Sequence, residues 1–248
     1  MPCLNNVGLT LQCLQSLRNT LAGTCEVILV DNGSTDATTE LRSDPRKGVR
    51  VIRNERNLGF ARACNQGARA AGGRHLIFLN NDTVATERWL EEILAPLEEP
   101  DVAIVGARLL FADGTIQHAG VNVGLGRKDG LAQGFHAHYR LPGDHLPALR
   151  PADVAAVTGA AMAVRREAWE AVGGFHEGYW NGNEDVDLCL AVLQSGWRIR
   201  YQPTSVLYHY ESMSGPDRWS GCAHNVALFN ERWAGWIRAQ QRQMAPAT

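Results

Sequence analysis

The sequence predicts an α/β fold built around a mostly parallel central sheet. Segments of strand and helix character alternate through residues 1–106, the pattern of βαβ units. Polar clusters follow two of the predicted strands directly, at Asp31 and at Asn80-Asn81-Asp82, where open sheets of this class bind ligands. A chain of 248 residues with 45% hydrophobic and 20% charged residues is long enough for a substantial core and has the balance of a globular protein.

Residues 7–21 place Leu11, Leu14, Leu17 and Leu21 at helical spacing. Residues 25–30 form a short apolar run rich in β-branched side chains that ends at Asp31. Ser34 has the chemistry of a helix N-cap, with Asp36 in the first turn. Residues 49–53 are a second strand, and 60–71 a helix stopped by Gly72-Gly73. Residues 75–79 are a third strand. Thr86 can cap a helix running to about residue 98, and 102–106 is a fourth strand.

The second half is less regular. Residues 109–117 around Asp113-Gly114 predict a hairpin. Residues 120–151, rich in Gly, Pro and His, predict a long loop, and 155–165 a strand of small apolar residues. Residues 184–194 are a helix with Gly196 as its stop. Residues 197–202 and 205–210 predict two strands. A last helix over 225–244 carries Leu228, Phe229, Trp233 and Trp236 on one side. No repeat or linker appears, so one domain over 1–248 is expected.

Composition excludes several classes. Twenty-four Lys and Arg against 26 Asp and Glu leave a net charge of -2, which supplies no field for nucleic acid. No stretch approaches the ~20 apolar residues of a membrane span. The longest nearly apolar run, 154–164, is broken by Thr158 and Gly159. The first residues lack the charged and apolar regions of a signal peptide. Cys3, Cys13, Cys25, Cys64, Cys189 and Cys222 form no C-x-x-C pair, which points to a reduced, cytoplasmic protein. G-x-G-x-x-G, P-loop, G-x-S-x-G and H-E-x-x-H motifs are all absent.

Four segments have the chemistry of a site, and each also has a purely structural reading. Asp31-Asn32-Gly33-Ser34 offers a carboxylate at a strand end and a helix start that favours an anion, or a plain turn with a cap. Asn80-Asn81-Asp82 can hold a divalent cation shared with phosphate oxygens, or is an Asx-rich turn. Trp180-Asn181-Gly182-Asn183-Glu184-Asp185 opens a helix with acids, which the helix dipole favours in any case. The Trp and two Asn before them suit a sugar. His209, between Tyr208 and Tyr210, is a core histidine unless Asp82 lies beside it. His118, His136, His138 and His145 show no regular ligand spacing.

The order of segments resembles the family 2 glycosyltransferases of GT-A fold, nearest to their bacterial rhamnosyltransferase-like branch. The resemblance is carried by V-D-N-G-S-T-D at 30–36, N-L-G-F-A at 57–61, L-N-N-D-T at 79–83, T-G-A-A-M at 158–162, G-G-F at 173–175, N-E-D-V-D-L at 183–188 and Tyr208-His209. Pro2-Cys3-Leu4-Asn5 resembles the end of the family's first strand, so a truncated first strand is expected.

The resemblance implies a nucleotide-binding half at 1–106 and an acceptor-side, catalytic half at 107–248. By similarity, Asp31, Asn32, Asn57 and Gly59 meet the nucleotide, and Leu4 stands where many members carry an aromatic against the base. Asn80-Asn81-Asp82 matches the family's D-x-D motif with Asn in place of its first Asp. Asp82 and His209 are then the metal ligands for Mg²⁺ or Mn²⁺. Asn80, Asn81 and Gly159 lie along the donor. Asp185 matches the catalytic base with Glu184 beside it, and Trp180 is an acceptor-side platform.

The expected reaction is an inverting transfer from a nucleoside diphosphate sugar to a glycan or lipid-linked acceptor. The competing expectations are a catalytically silent nucleotide-sugar-binding module of a larger assembly protein and a nucleotidyltransferase. The latter's basic, glycine-rich signature is absent. Trp233, Trp236 and Ile237 with Arg232 and Arg238 suit either contact with the inner face of a membrane or a helix packed on the domain.

Overall fold

Period-2 alternation in the central strands and amphipathic stripes in the helices divide this chain into layers. The computed structural model describes residues 1–21, 25–210 and 220–244. Its first half runs β1 (Pro2–Cys3), α1 (Val7–Thr20), β2 (Val27–Asp31), β3 (Val49–Arg53), α2 (Phe60–Ala70), β4 (His75–Leu79), β5 (Thr83–Ala85), α3 (Trp89–Leu94) and β6 (Val102–Leu110). The second half runs β7 (Ile116–His118), β8 (Val121–Leu125), β9 (Ala132–His136), β10 (Ala152–Asp153), β11 (Ala161–Arg165), α4 (Arg166–Val172), α5 (Glu184–Gln194), β12 (Arg198–His209) and α6 (Cys222–Met244).

β1, β2 and β3 form a parallel three-stranded sheet. The central sheet has seven strands on the path β10-β12-β6-β11-β4, with β5 on β12 and β7 on β6. β6 and β12 are parallel, while β11 runs antiparallel to both β6 and β4. Within the expected α/β fold of mostly parallel type, the central sheet is mixed, with β11 reversed at its centre. This reversal matters for function. It brings the residues just before β11 to the same edge as the carboxyl ends of β4 and β12, where the backbone N–H of Asn80 donates to the carbonyl of Ala160 at 3.0 Å.

β11 shows why the layers form. Met162 and Val164 belong to the core shared with α2, α5 and α6, while Ala161 and Ala163 face the core shared with α1 and α3. Both faces are covered, so this strand is small and apolar throughout.

Several local expectations change. The helix placed after Ser34 is a single 3₁₀ turn, Ala37–Glu40, capped by Asp36, whose carboxylate accepts from the N–H of Thr38 at 2.9 Å. Ser34 does not cap it, because its hydroxyl accepts from the N–H of Asn5 at 2.8 Å. Thr86 likewise caps nothing. Its hydroxyl donates to the carbonyl of Val206, and the helix begins at Trp89 and passes into a 3₁₀ turn at Ala95–Glu98, where Pro96 lies. The loop expected over 120–151 contains the β8–β9 hairpin. The strand expected over 155–165 starts only at Ala161 and is followed by α4. The two strands expected over 197–210 are one, with its register on β6 shifted between Gln202 and Val206.

Among the described residues, no helix is long and apolar enough to cross a membrane. α6 buries Trp233 and Ile237 in the main core, with Trp236 packed against it, so this face covers the domain. All six cysteines are free thiols, four of them buried.

Candidate active site

The carboxyl ends of β4 and β12, the segment before β11 and the first turn of α5 enclose a cavity of about 340 Å³. Asn80, Asn81, Asp82 and His209 line one side of it. Gly159, Glu184 and Asp185 line another, and Asn32 and Asn57 reach it from the β2 side. Asp31, Gly59 and Trp180 are not among the lining residues.

Asp31 ends β2, buried, and one carboxylate oxygen accepts from the N–H of Ser34 at 3.0 Å. The other meets Arg53 Nε at 3.3 Å. Asn32 is bonded throughout. Its Nδ2 donates to Asn57 Oδ1 at 2.8 Å and to the carbonyl of Gly59 at 3.2 Å. Its Oδ1 accepts from Asn54 Nδ2 at 3.0 Å and from the N–H of Leu58 at 3.1 Å. These bonds clamp the loop after β2 onto the entry to α2. Gly33 permits the clamp, since at φ +87° a Cβ there would lie 2.5 Å from the backbone carbon of Arg56. Trp180 packs on Gly59, where an added Cβ would sit 3.2 Å from its ring.

At β4 the polar groups converge on open space. Asp82 Oδ1 lies 3.0 Å from His209 Nε2, and Asn80 Nδ2 lies 3.2 Å from the same nitrogen. The pair meets because β5 pairs antiparallel with β12, setting Thr83 opposite His209, and the N–H of Tyr210 donates to the carbonyl of Asp82 at 3.0 Å. Both side chains are more than nine-tenths buried. A carboxylate oxygen and an imidazole nitrogen side by side are suitable donors for a divalent cation. Among the described residues no group of three or more His, Cys, Asp or Glu could hold a metal ion. The two donors therefore fit a cation that completes its shell with phosphate oxygens and water.

The three acids that open α5 have three different positions. Glu184 is buried, and its carboxylate accepts from the N–H of Gly182. Asp187 is buried and accepts from Tyr179 Oη at 2.9 Å, from Arg232 Nε and Trp233 Nε1 at 2.6 Å each, and from a second Arg232 nitrogen at 3.2 Å. It fastens α6 to α5. Among the described residues, Asp185 accepts from backbone N–H groups alone, from Gly159 at 2.9 Å and from Val186 at 2.8 Å. It is half-buried, and it lines the cavity. Gly159 lets it approach closely: a Cβ there would be 3.4 Å from that of Asp185 and 3.3 Å from the Phe60 ring.

Asn181, one of the two Asn expected to suit a sugar, and Gln117, which carried no motif, also line the cavity. Asn181 Oδ1 accepts from the N–H of Phe60 at 3.0 Å, capping α2 from the second half of the chain. Gln117 is buried at the back of the cavity against His209. His118 is wholly buried beside His136, which lines the cavity. A polar residue at a buried position of the three-residue strand β7 is a signal that Gln117 shares with His118.

A mixed sheet whose carboxyl-end cavity gathers Asp82, His209 and Asp185 is the architecture of a GT-A type domain. The chain belongs to the glycosyl transferase family 2, whose profile matches residues 1–173. A second profile, described as the N-terminal domain of galactosyltransferase, matches residues 149–213. The chain is 36% identical over 203 residues to the O-antigen biosynthesis protein RfbC of Myxococcus xanthus, covering 76% of this chain and 15% of that protein. It is 28% identical over 247 residues to the N-acetylglucosaminyl-diphospho-decaprenol L-rhamnosyltransferase of Mycobacterium tuberculosis, covering 87% of this chain and 78% of that enzyme. The crystal structure of GalNAc-T7 with UDP, GalNAc and Mn²⁺ shares the fold, with a TM-score of 0.70 at 17% identity over 100% of this chain and 50% of that one. The chain thus spans less than a fifth of the O-antigen protein it matches.

Proposed function

We propose that this chain transfers a sugar, with inversion, from a nucleoside diphosphate sugar to a hydroxyl of a glycan or lipid-linked acceptor. The observation that carries this reading is the convergence of Asp82, His209 and Asp185 on one cavity, drawn from both halves of the chain. In this reading residues 1–248 act as one domain, with the donor half at 1–106 and the acceptor half at 107–248. The relatives' names, which include a lipid-diphosphate rhamnosyltransferase and an O-antigen protein, support a polysaccharide acceptor.

Asp82 and His209 would hold Mg²⁺ or Mn²⁺, and the Mn²⁺ and UDP of the GalNAc-T7 structure support that choice. When bound, such an ion neutralises charge on the departing diphosphate. Asn32 and Asn57 present the clamped rim to the nucleoside, with Asp31 and Gly59 holding that rim from behind. Asn80, Asn81 and Gly159 lie along the donor. Asp185 takes the proton of the acceptor hydroxyl as its oxygen attacks the anomeric carbon and the bond to the diphosphate oxygen breaks. Two N–H donors hold Asp185 in place. Glu184 shapes the turn at Gly182 rather than meeting the proton. Trp180 acts on the acceptor side through the Gly59 and Asn181 segments it packs among.

The experiment is a thermal-shift panel of nucleoside diphosphates and their sugars, with and without Mn²⁺ or Mg²⁺. A metal-dependent rise with one diphosphate is expected, because a ligand of the folded state raises its stability. No rise with any of them would sink the reading. The second reading, a silent nucleotide-sugar-binding module, is favoured by Asn80 standing where the family's motif has an acid. Donor binding without turnover, with acceptors supplied, would establish it.

A further inference from the structure

We infer that Gln117 is a positioning residue for the metal site, fixing which ring nitrogen of His209 is presented to the cation. This rests on the proposed role of Asp82 and His209 as metal ligands.

Two contacts set the sense of the Gln117 amide. Its Nε2 donates to the backbone carbonyl of His209 at 3.3 Å. A carbonyl only accepts, so the amide nitrogen belongs on that side. The amide oxygen, Oε1, then faces His209 Nδ1 at 2.5 Å. An amide oxygen also only accepts, so Nδ1 carries the proton. Nε2 is left as the nitrogen that meets Asp82 Oδ1 at 3.0 Å and Asn80 Nδ2 at 3.2 Å. This is the arrangement of a metal-ligating imidazole, whose other N–H is given to an oxygen acceptor that fixes ring and tautomer.

Without that acceptor the ring has a competing state. The proton moves to Nε2, where the Asp82 carboxylate accepts it across the 3.0 Å contact. Such an Asp82–His209 hydrogen bond uses both metal donors at once. Gln117 is only 5% exposed, so water does not readily replace it as the acceptor at Nδ1.

The test begins on metal-free protein, by ¹⁵N spectroscopy of the imidazole nitrogens. Wild-type His209 is expected to show a protonated Nδ1, and Gln117→Leu a proton moved to Nε2. Mn²⁺ is then titrated by electron paramagnetic resonance with UDP as the probe diphosphate. Gln117→Leu is expected to weaken Mn²⁺ binding about 10–100-fold. Gln117→Glu keeps an oxygen opposite Nδ1 but loses the donor to the His209 carbonyl, so it should weaken Mn²⁺ binding less than Gln117→Leu does. An unprotonated Nδ1 in the wild type overturns the inference. So does unchanged affinity in Gln117→Leu, or a loss in Gln117→Glu as large as in Gln117→Leu. If Gln117→Leu fails to fold, the wild-type spectrum and the Gln117→Glu titration decide between these outcomes. A wild type that binds no Mn²⁺ ends the metal reading of Asp82 and His209 and this inference with it. A wild type that binds Mn²⁺ while Gln117→Leu matches it ends this inference alone.

Discussion

The loop after β2 and the loop after β4 carry similar residues, Asp-Asn-Gly and Asn-Asn-Asp, at similar places in the fold, yet they differ in what remains open. After β2, Asp31 is engaged by Ser34 and Arg53, and Asn32 has four protein partners. After β4, Asp82 and His209 face each other at the cavity wall. The first turn of α5 repeats the contrast within three residues. Asp187 accepts from Tyr179, Arg232 and Trp233, whereas Asp185 accepts two backbone N–H groups and opens onto the cavity. A carboxylate's position at an element end does not decide its chemistry. The donors aimed at it and its access to open space decide together: Asp187 takes four, and Asp31 takes two but is buried away from the cavity, whereas Asp185 takes two and lines the cavity, with acceptor sites of its carboxylate left over.

The α5 pair gives the sharpest way to break this contrast. Asp185→Asn keeps the shape and removes the base. Its turnover should fall about 10²–10⁴-fold, with donor binding and unfolding midpoint near wild type. Wild-type-like turnover would remove Asp185 as the base. Asp187→Ala should do the reverse and act on stability. It leaves Tyr179 Oη and Trp233 Nε1 without their shared acceptor and frees the part-exposed Arg232, and each buried donor left unpaired costs about 1–3 kcal/mol. Urea unfolding measures this directly, and equal stability in that variant would erase the difference between the two acids.

The sequence shows the same contrast only in part. The alternation of β2, β3, α2, β4 and β6 was legible because each segment carries its own periodicity. Asp82, His209 and Asp185 were legible as a set through motif order. The mixed direction of the central sheet was not, because nothing local to β11 encodes which neighbour it joins or in which sense. The β8–β9 hairpin was hidden by its glycines: Gly124 and Gly134 lie inside these strands, and β9 is largely exposed. The separate roles of Glu184, Asp185 and Asp187 were also hidden. They depend on Gly182, Gly159 and α6, which lie respectively two, 26 and about 45 residues away.

The clamped rim after β2 offers a smaller test. Gly33→Ala places a Cβ against the backbone of Arg56 at a left-handed φ, and strain of this kind costs about 1–3 kcal/mol. The contrast predicts loss of stability, together with weaker nucleotide binding as Asn32 and Asn57 lose their registration. Metal affinity at Asp82–His209 should be unchanged. Calorimetric titration of Mn²⁺ and of a nucleoside diphosphate separates the two. A variant that loses Mn²⁺ as well would show that the two loops are one unit.

The histidines extend the contrast to pH. His118 Nε2 accepts from the N–H of Gly120 at 3.3 Å, so its Nδ1 carries the proton and faces His136 Nδ1 at 3.2 Å. Burial holds the His118 pKa well below its ordinary value, and the neighbouring His136 and His209 push it the same way. The unfolded chain takes up a proton at this histidine near pH ~6.5, while the folded one stays neutral. Stability is therefore complete above that pH and falls as pH drops, by about 1.4 kcal/mol between about pH 7.5 and 5.5 for this one group. His118→Gln preserves both bonds, with an amide oxygen for Gly120 and an amide N–H for His136, and takes up no proton. Its urea-unfolding free energy should lose that share of the pH dependence while matching wild type at pH ~7.5. Identical pH profiles would mean that His118 titrates in the folded protein and does not belong with the internally bonded groups.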